Sequence, residues 1–182
     1  MSGVTISTLN RISRERLSSL LLTQPSEEKV VVVDVRDSGM SSPPPQSPPS
    51  LLMDRRVDHI GGHIKSSRHV PSGSLDYTAA ELARQLKDME KVVFHCALSQ
   101  QRGPSAALKY LRERERLFGK ESTVATGGVN GEEEVIVEGE GGGAKKQEVL
   151  VLDGGFVEWQ ARYGNDKRLT ENYNKELWEA GY

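Results

Sequence analysis

Between an apolar segment and a stretch with helical spacing, the chain reads Phe94-His95-Cys96-Ala97-Leu98-Ser99-Gln100-Gln101-Arg102-Gly103-Pro104. The apolar segment, 91–94, predicts a buried strand, and proline suits the first turn of a following helix. The loop between them therefore lies at a helix N-terminus, where backbone N–H groups converge and the helix dipole favours negative charge. Arg102 adds a planar guanidinium that matches two oxyanion oxygens. The segment predicts a binding site for a tetrahedral oxyanion.

Cys96 is the single cysteine of the chain and stands at the mouth of this predicted loop. The positive field that attracts an oxyanion also favours thiolate over thiol, which makes the sulfur a nucleophile near neutral pH. The alternative is a small core residue, because a lone cysteine that ends an apolar strand often serves packing alone. The order of strand, His95, Cys96, loop, Arg102 and helix favours the catalytic interpretation.

We therefore predict Cys96, Arg102 and His95 as catalytic residues. His95 has a supporting role, in which its ring nitrogens orient the loop without abstracting a proton. The predicted oxyanion loop comprises Ala97, Leu98, Ser99, Gln100, Gln101 and Arg102.

Three further segments accompany the loop in a fixed order. They are Val31-Val32-Val33-Asp34-Val35-Arg36, Asp58-His59-Ile60-Gly61-Gly62-His63-Ile64 and Leu152-Asp153-Gly154-Gly155-Phe156-Val157-Glu158-Trp159. With His95-Cys96, Ser99 and Arg102-Gly103-Pro104, they resemble the cell-division-cycle (M-phase inducer) phosphatases. The resemblance is closer to the small plant and fungal relatives of that family, some of which reduce arsenate. It implies a rhodanese-like fold in which the cysteine is the nucleophile and the arginine binds the oxyanion.

Two loop positions depart from the large cell-cycle phosphatases that the chain resembles. Those enzymes have glutamates where this chain has Ala97 and Gln101, so no carboxylate remains in the loop. A positioned general acid contributes about 10²–10⁴-fold to such reactions. We therefore expect phosphoester cleavage to be slow or to draw its acid from elsewhere. Gly103 replaces the hydroxyl residue of ordinary tyrosine phosphatases, which favours the small cell-cycle type.

Composition sets the class of protein and its compartment. The chain has 182 residues, of which 36% are hydrophobic and 27% charged, as expected for one globular domain. No stretch is apolar enough to span a bilayer, and the N-terminus lacks the basic and apolar regions of a secretory signal, so we expect a cytoplasmic or nuclear location and no membrane partner.

One cysteine permits no internal disulfide and no multi-cysteine zinc site, and we predict no metal. Aromatic residues make up 5% of the chain and no nucleic-acid motif is present, so we expect no nucleic-acid partner.

The chain is predicted to form a single α/β domain over 8–182, with two disordered insertions. A Pro/Ser-rich insertion covers 39–50, and an acidic Gly/Glu-rich insertion covers 120–147. The spacing predicts helices over 10–22, 77–89 and 104–117, short helices near Phe156 and Glu176, and strands over 30–34, near 69–70, 91–95 and 148–152. Strands that alternate with helices imply a central parallel sheet flanked by helices on both faces. Ligands bind such sheets at the carboxyl ends of the strands, where Cys96 falls.

Two other groups of residues invite a function. Asp34 and Arg36 flank a strand end, and we interpret them as a structural pair that ties this end to neighbouring loops. His59 and His63 could suggest a metal, but the glycines between them and the lack of a nearby cysteine favour hydrogen bonds in a turn.

Four functions follow from these observations and from the resemblance. The leading one is a cysteine-dependent phosphatase of the protein tyrosine or dual-specificity type, which forms a cysteinyl-phosphate, needs no cofactor and acts on a phosphorylated protein or a small oxyanion. The nearest alternative is an arsenate reductase, which uses glutathione as the reductant and glutaredoxin as a partner. Sulfur transfer is a weaker enzymatic alternative. A catalytically silent rhodanese-like module that binds proteins is the alternative from another class.

Overall fold

The computed structural model describes residues 4–23, 29–37, 61–124 and 145–181. Short 3₁₀ turns precede the first strand and link several of the elements. In chain order the strands and helices are β1 (Asn10–Ile12), α1 (Arg14–Leu22), β2 (Val30–Asp34), β3 (His63–Ile64), β4 (Arg68–His69), α2 (Leu75–Gln85), β5 (Lys91–His95), α3 (Arg102–Phe118), β6 (Thr123–Val124), β7 (Gln147–Leu152), α4 (Gly155–Tyr163), β8 (Thr170–Glu171) and α5 (Lys175–Glu179). Within these ranges no helix is both long and apolar enough to cross a membrane.

The main sheet is parallel and follows the order β1-β7-β5-β2-β4, with β6 added beside the start of β7. Phe94 of β5 pairs with Val33 of β2 on one side and with Val151 of β7 on the other. β3 and β8 form a separate antiparallel pair. Because β5 is central, the loop that follows it emerges at the middle of the carboxyl edge of the sheet.

Helices cover both faces of this sheet, as the sequence predicts. Val92 and Phe94 pack on one face with α2 and α3, where Tyr110 and Leu111 are fully buried. Val93 points to the other face, whose core includes α1, α4 and α5 through residues such as Leu17, Trp159 and Trp178. Successive strand residues face opposite sides, so one continuous apolar strand supplies both cores.

The predicted helix over 10–22 is wrong in its first part. Asn10–Ile12 form β1, whose Ile12 is buried at the sheet edge, and α1 begins only at Arg14. The Ser13 side chain marks the change because its hydroxyl accepts a hydrogen bond from the Arg16 N–H as an N-cap. The strands predicted over 30–34 and 91–95 are confirmed, and α2 and α3 each begin two residues before their predicted starts.

The predicted insertion over 39–50 lies outside the described residues, as do residues 125–144 of the second insertion. The second insertion was predicted over 120–147, and the structure corrects both of its ends, which are ordered. Residues 120–122 form a 3₁₀ turn, Thr123 pairs with Gln147, and Gln147 is fully buried in β7. The Gln147 amide donates to the carbonyls of Leu86 and Met89, both at 2.8 Å, and accepts from the Tyr110 hydroxyl at 2.7 Å. A glutamine satisfied at both ends of its amide can lie in a core, which polar composition alone does not reveal.

Arg114 links both ends of that second segment. Its side chain is fully buried in α3. Nε donates to the carbonyl of Ser122 at 3.3 Å, and Nη2 donates to the carbonyls of Lys145 at 2.6 Å and Lys87 at 3.3 Å. A buried guanidinium needs these acceptors, so the residues on either side of 125–144 belong to the fold.

Two matched replacements test this boundary. Replacing 125–144 with an eight-residue Gly-Ser linker, which reaches about 26 Å when extended, should change the free energy of unfolding by about 1 kcal/mol at most. Replacing 122–146 with the same linker removes β6 and the ordered backbone that presents two carbonyls to Arg114, and it should cost about 3 kcal/mol or more. Urea unfolding measures both. Equal stability of the two variants would show that Arg114 does not depend on Ser122 and Lys145.

Candidate functional site

Cys96 directly follows β5 and is 4% exposed. Its Sγ accepts a hydrogen bond from the backbone N–H of Ser99 at 3.2 Å, and its own N–H donates to the Ser99 hydroxyl at 3.4 Å. Ser99 adopts φ +54°, a left-handed conformation that non-glycine residues rarely take, and its side chain is fully buried. The turn at Ser99 thus aims a donor at the sulfur, where it stabilises negative charge.

The loop after Cys96 ends at the N-terminus of α3, a helix of 17 residues whose Gln101 N-cap makes no side-chain capping hydrogen bond. Pro104 is buried in the first turn, where its missing N–H costs no helical hydrogen bond. Within the described ranges, no residue accepts from the remaining loop amides, which are those of Ala97, Leu98, Gln100, Gln101 and Arg102. These donors and the dipole of α3 suit the loop to bind an anion.

The N-terminus of α4 holds the outer side of the same loop. The N–H groups of Phe156 and Val157 donate to the carbonyls of Cys96 and Ala97, both at 3.0 Å. Gly155 permits this approach because a Cβ there would lie 2.4 Å from the Ala97 carbonyl oxygen, and its φ is +59°. The resemblance marks this segment only as a strand and a helix, whereas the structure makes Gly155 a support of the loop.

His95 is fully buried, and its Nδ1 lies 3.1 Å from the Cys96 carbonyl oxygen. Because a carbonyl only accepts, Nδ1 carries the proton in this hydrogen bond. Burial lowers the pKa of His95, against the opposing effect of Asp34, whose Oδ2 lies 3.8 Å from Nε2. The ring is therefore neutral at pH 7 and stacks on Phe156 with 6.2 Å between ring centroids. This geometry suits the supporting role predicted for His95.

The remaining candidates take structural positions. Arg36 donates to Asp34 at 2.6–3.0 Å and to the Gly62 carbonyl at 2.7 Å, and its guanidinium lies over the Phe156 ring. This pair ties the end of β2 to its neighbours, as predicted. His63 contacts Glu171 at 3.1 Å between β3 and β8, while His59 lies outside the described residues. In the described part of the chain, no group of three or more His, Cys, Asp or Glu side chains is placed to hold a metal ion.

Arg102 ends the predicted loop and is the first residue of α3, and its side chain has a partner that we did not predict. Nη1 donates to Asp37 Oδ2 at 2.8 Å, and both side chains are about half exposed. Asp37 directly follows the Asp34-Val35-Arg36 segment, so its sequence position placed it near the carboxyl edge of the sheet. The loop itself contains no carboxylate, and the carboxylate of Asp37, from outside the loop, contacts Arg102.

Residues 18–162 match the rhodanese-like domain family. The chain belongs to this family. This chain is 33% identical over 135 residues to the CDC25-like phosphatase YCH1 of Saccharomyces cerevisiae. The match covers 68% of this chain and 74% of YCH1. It is 36% identical over 124 residues to arsenate reductase 2.1 of Oryza sativa subsp. japonica, with 66% of each chain covered.

A solved structure extends the likeness of this rhodanese-like chain to its fold. Saccharomyces cerevisiae Ygr203w, described as a homolog of single-domain rhodanese and the Cdc25 phosphatase catalytic domain, matches with a TM-score of 0.64. The two are 27% identical, and the match covers 100% of this chain and 99% of that one. The predicted rhodanese-like α/β fold and the predicted family are confirmed.

Proposed function

We propose that this protein is a cysteine-dependent phosphatase of the protein tyrosine or dual-specificity type. The observation that carries the proposal is the position of Cys96 Sγ, which receives the Ser99 N–H at the N-terminus of α3, where no side chain caps the helix. A cysteine sulfur held beside amide donors without acceptors and near an arginine has the parts that phosphoryl transfer requires. Relatives named as a phosphatase and an arsenate reductase support this class of chemistry.

In the proposed reaction the Cys96 thiolate attacks phosphorus. The S–P bond forms while the bond from phosphorus to the leaving oxygen breaks, and that oxygen takes a proton from the solvent, since the loop has no carboxyl group. The loop amides and Arg102 bind the three non-bridging oxygens, where charge is spread in the transition state. Water then attacks the cysteinyl-phosphate, which releases phosphate and restores the thiolate. No cofactor enters this cycle, and the substrate class is a phosphorylated protein or a small oxyanion ester.

Arsenate reduction is the second candidate, favoured by the rice relative and by the loop without carboxylates. Cys96 would attack arsenic and form a cysteinyl-arsenate, as one As–O bond breaks and that oxygen leaves as water. The outside thiol would then attack the Cys96 sulfur, and the S–As bond would break with its electron pair going to arsenic, which leaves as arsenite. Two electrons convert arsenate into arsenite, one from Cys96 and one from an outside thiol, because the chain has no second cysteine. The product is a mixed disulfide between Cys96 and glutathione, which glutaredoxin reduces.

Either cycle needs a reduced Cys96, so we propose a cytoplasmic or nuclear location.

Assays with and without an added thiol separate the two candidates. Aryl phosphate hydrolysis should continue when a phosphine alone keeps Cys96 reduced, since only water resolves the intermediate. Arsenite production should require glutathione with glutaredoxin and stop without them. A phosphine and arsenate mixture without protein is the control, and thiosulfate tests sulfur transfer in parallel.

Two outcomes of these assays would change the account. Sustained arsenite production that depends on Cys96 but not on an added thiol would refute the redox route. Absence of all activities in freshly reduced protein would favour the protein-binding module.

A further inference from the structure

The Arg102 guanidinium is already occupied in the free protein. Asp37 Oδ2 accepts from its Nη1 at 2.8 Å, and Asp37 Oδ1 accepts from the Ser72 hydroxyl at 2.9 Å. Among the described residues, the guanidinium makes no other hydrogen bond. Asp37 is thus held by a second residue, outside the loop, in a position that engages the arginine.

The charge state of Asp37 follows from these contacts. Partial burial acts to raise its pKa, but the hydrogen bonds from Ser72 and Arg102 and the charge of Arg102 outweigh it and lower the pKa below the usual value. Asp37 is therefore ionised at neutral pH. An ionised carboxylate on Arg102 is a competitor for any anion that needs the same donors.

We propose that Asp37 is a positioning residue whose carboxylate occupies Arg102 until an incoming oxyanion displaces it. This inference rests on the proposed function, since it assigns Arg102 to the oxyanion. Arginine binds an oxyanion best through two parallel N–H groups, and Asp37 takes a donor of Nη1 while its negative charge neutralises the guanidinium. The exchange is feasible because the pair is half exposed, where an ion pair is weak, and because the loop amides assist the oxyanion but not Asp37.

The exchange predicts that removing the carboxylate tightens oxyanion binding. With tungstate as the probe, isothermal titration calorimetry should show Asp37→Asn binding roughly threefold or more tightly than the wild type. Asp37→Glu, which keeps a carboxylate, should bind more weakly than Asp37→Asn. Glu81→Gln is the matched control, because it neutralises another exposed carboxylate paired with an arginine, Arg84, and should leave the dissociation constant unchanged.

A double-mutant cycle separates displacement from simple charge repulsion. If Asp37 acts through Arg102, Asp37→Asn should not change tungstate binding in an Arg102→Ala background. Tightening of equal size in both backgrounds would overturn the proposal in favour of repulsion, and weaker binding by Asp37→Asn would show that Asp37 instead orients Arg102 in the bound state. In turnover assays, the change should appear in KM and not in kcat.

The failure of this inference is distinguishable from failure of the proposed function. Tungstate binding that depends on Arg102 but is unaffected by Asp37→Asn overturns only the role of Asp37. Absence of tungstate binding to both the wild type and Asp37→Asn would overturn the oxyanion loop and the exchange together. Binding by Asp37→Asn alone would support the exchange.

Discussion

Replacing Cys96 by serine is expected to lower aryl phosphate turnover at least ~10³-fold while leaving the fold and tungstate binding nearly unchanged. Serine has a similar size but a hydroxyl that ionises far less readily, so it cannot act as the nucleophile at neutral pH. The Ser99 N–H can still donate to the serine oxygen, which preserves the loop. Steady-state kinetics measures turnover, and calorimetry measures binding.

Arg102→Ala is the complementary variant, because it keeps the nucleophile and should weaken tungstate binding itself. Cys96→Ser therefore tests the bond-making step, and Arg102→Ala tests oxyanion binding. Wild-type turnover by Cys96→Ser with every substrate tested would show that the sulfur is not the nucleophile.

Replacing Gly155 by alanine should produce the second large effect, a loss of about 3–5 kcal/mol in the free energy of unfolding. The added Cβ would lie 2.4 Å from the Ala97 carbonyl oxygen and 2.6 Å from that of Cys96. Both atoms belong to the backbone of the loop, so relief of the clash must move the loop. We therefore expect tungstate affinity of the folded protein to fall at least ~10-fold as well.

Gly119→Ala is the matched control for this prediction. Gly119 also has a positive φ, +88°, but a Cβ there would have no heavy atom within 4 Å. Its replacement by alanine reports backbone strain alone, about 1–3 kcal/mol, and should leave tungstate affinity unchanged. Urea unfolding and calorimetry compare the two variants. If Gly155→Ala were no more harmful than Gly119→Ala in both measurements, α4 would not support the loop.

The local sequence pattern was sufficient to predict an element where all the residues that define it lie in one short segment. The apolar run of β5, followed by Cys96 and a helix with proline in its first turn, predicts the strand and places Cys96 between it and α3. Helical spacing failed at Asn10–Ile12, because the leucine pattern of α1 was extended back into a short edge strand. Its pairing with β7 is a contact with residues about 140 positions away in the chain, which no local pattern contains.

Side-chain partners were also beyond the reach of the sequence. Arg102 was predicted as the last residue of the loop and is the first residue of α3, but its contact with Asp37 depends on how β2 and α3 meet at the edge of the sheet. Gln147 seemed part of a polar insertion, although three hydrogen bonds make it a core residue. The hydrogen-bond partners of a buried amide exist only in the assembled fold, so composition alone assigned Gln147 to the wrong region.

The most direct measurement of Cys96 chemistry is a rapid-quench experiment with an aryl phosphate that carries a radiolabelled phosphoryl group. The reaction is stopped in neutral detergent, where a thiol ester of phosphate survives, and the label is located by peptide mapping. We expect a burst of phenol close to one equivalent of enzyme, with the label on the peptide that contains Cys96 and none in Cys96→Ser. Turnover with no label on Cys96 at any time, or with label on another residue, would contradict the cysteinyl-phosphate mechanism.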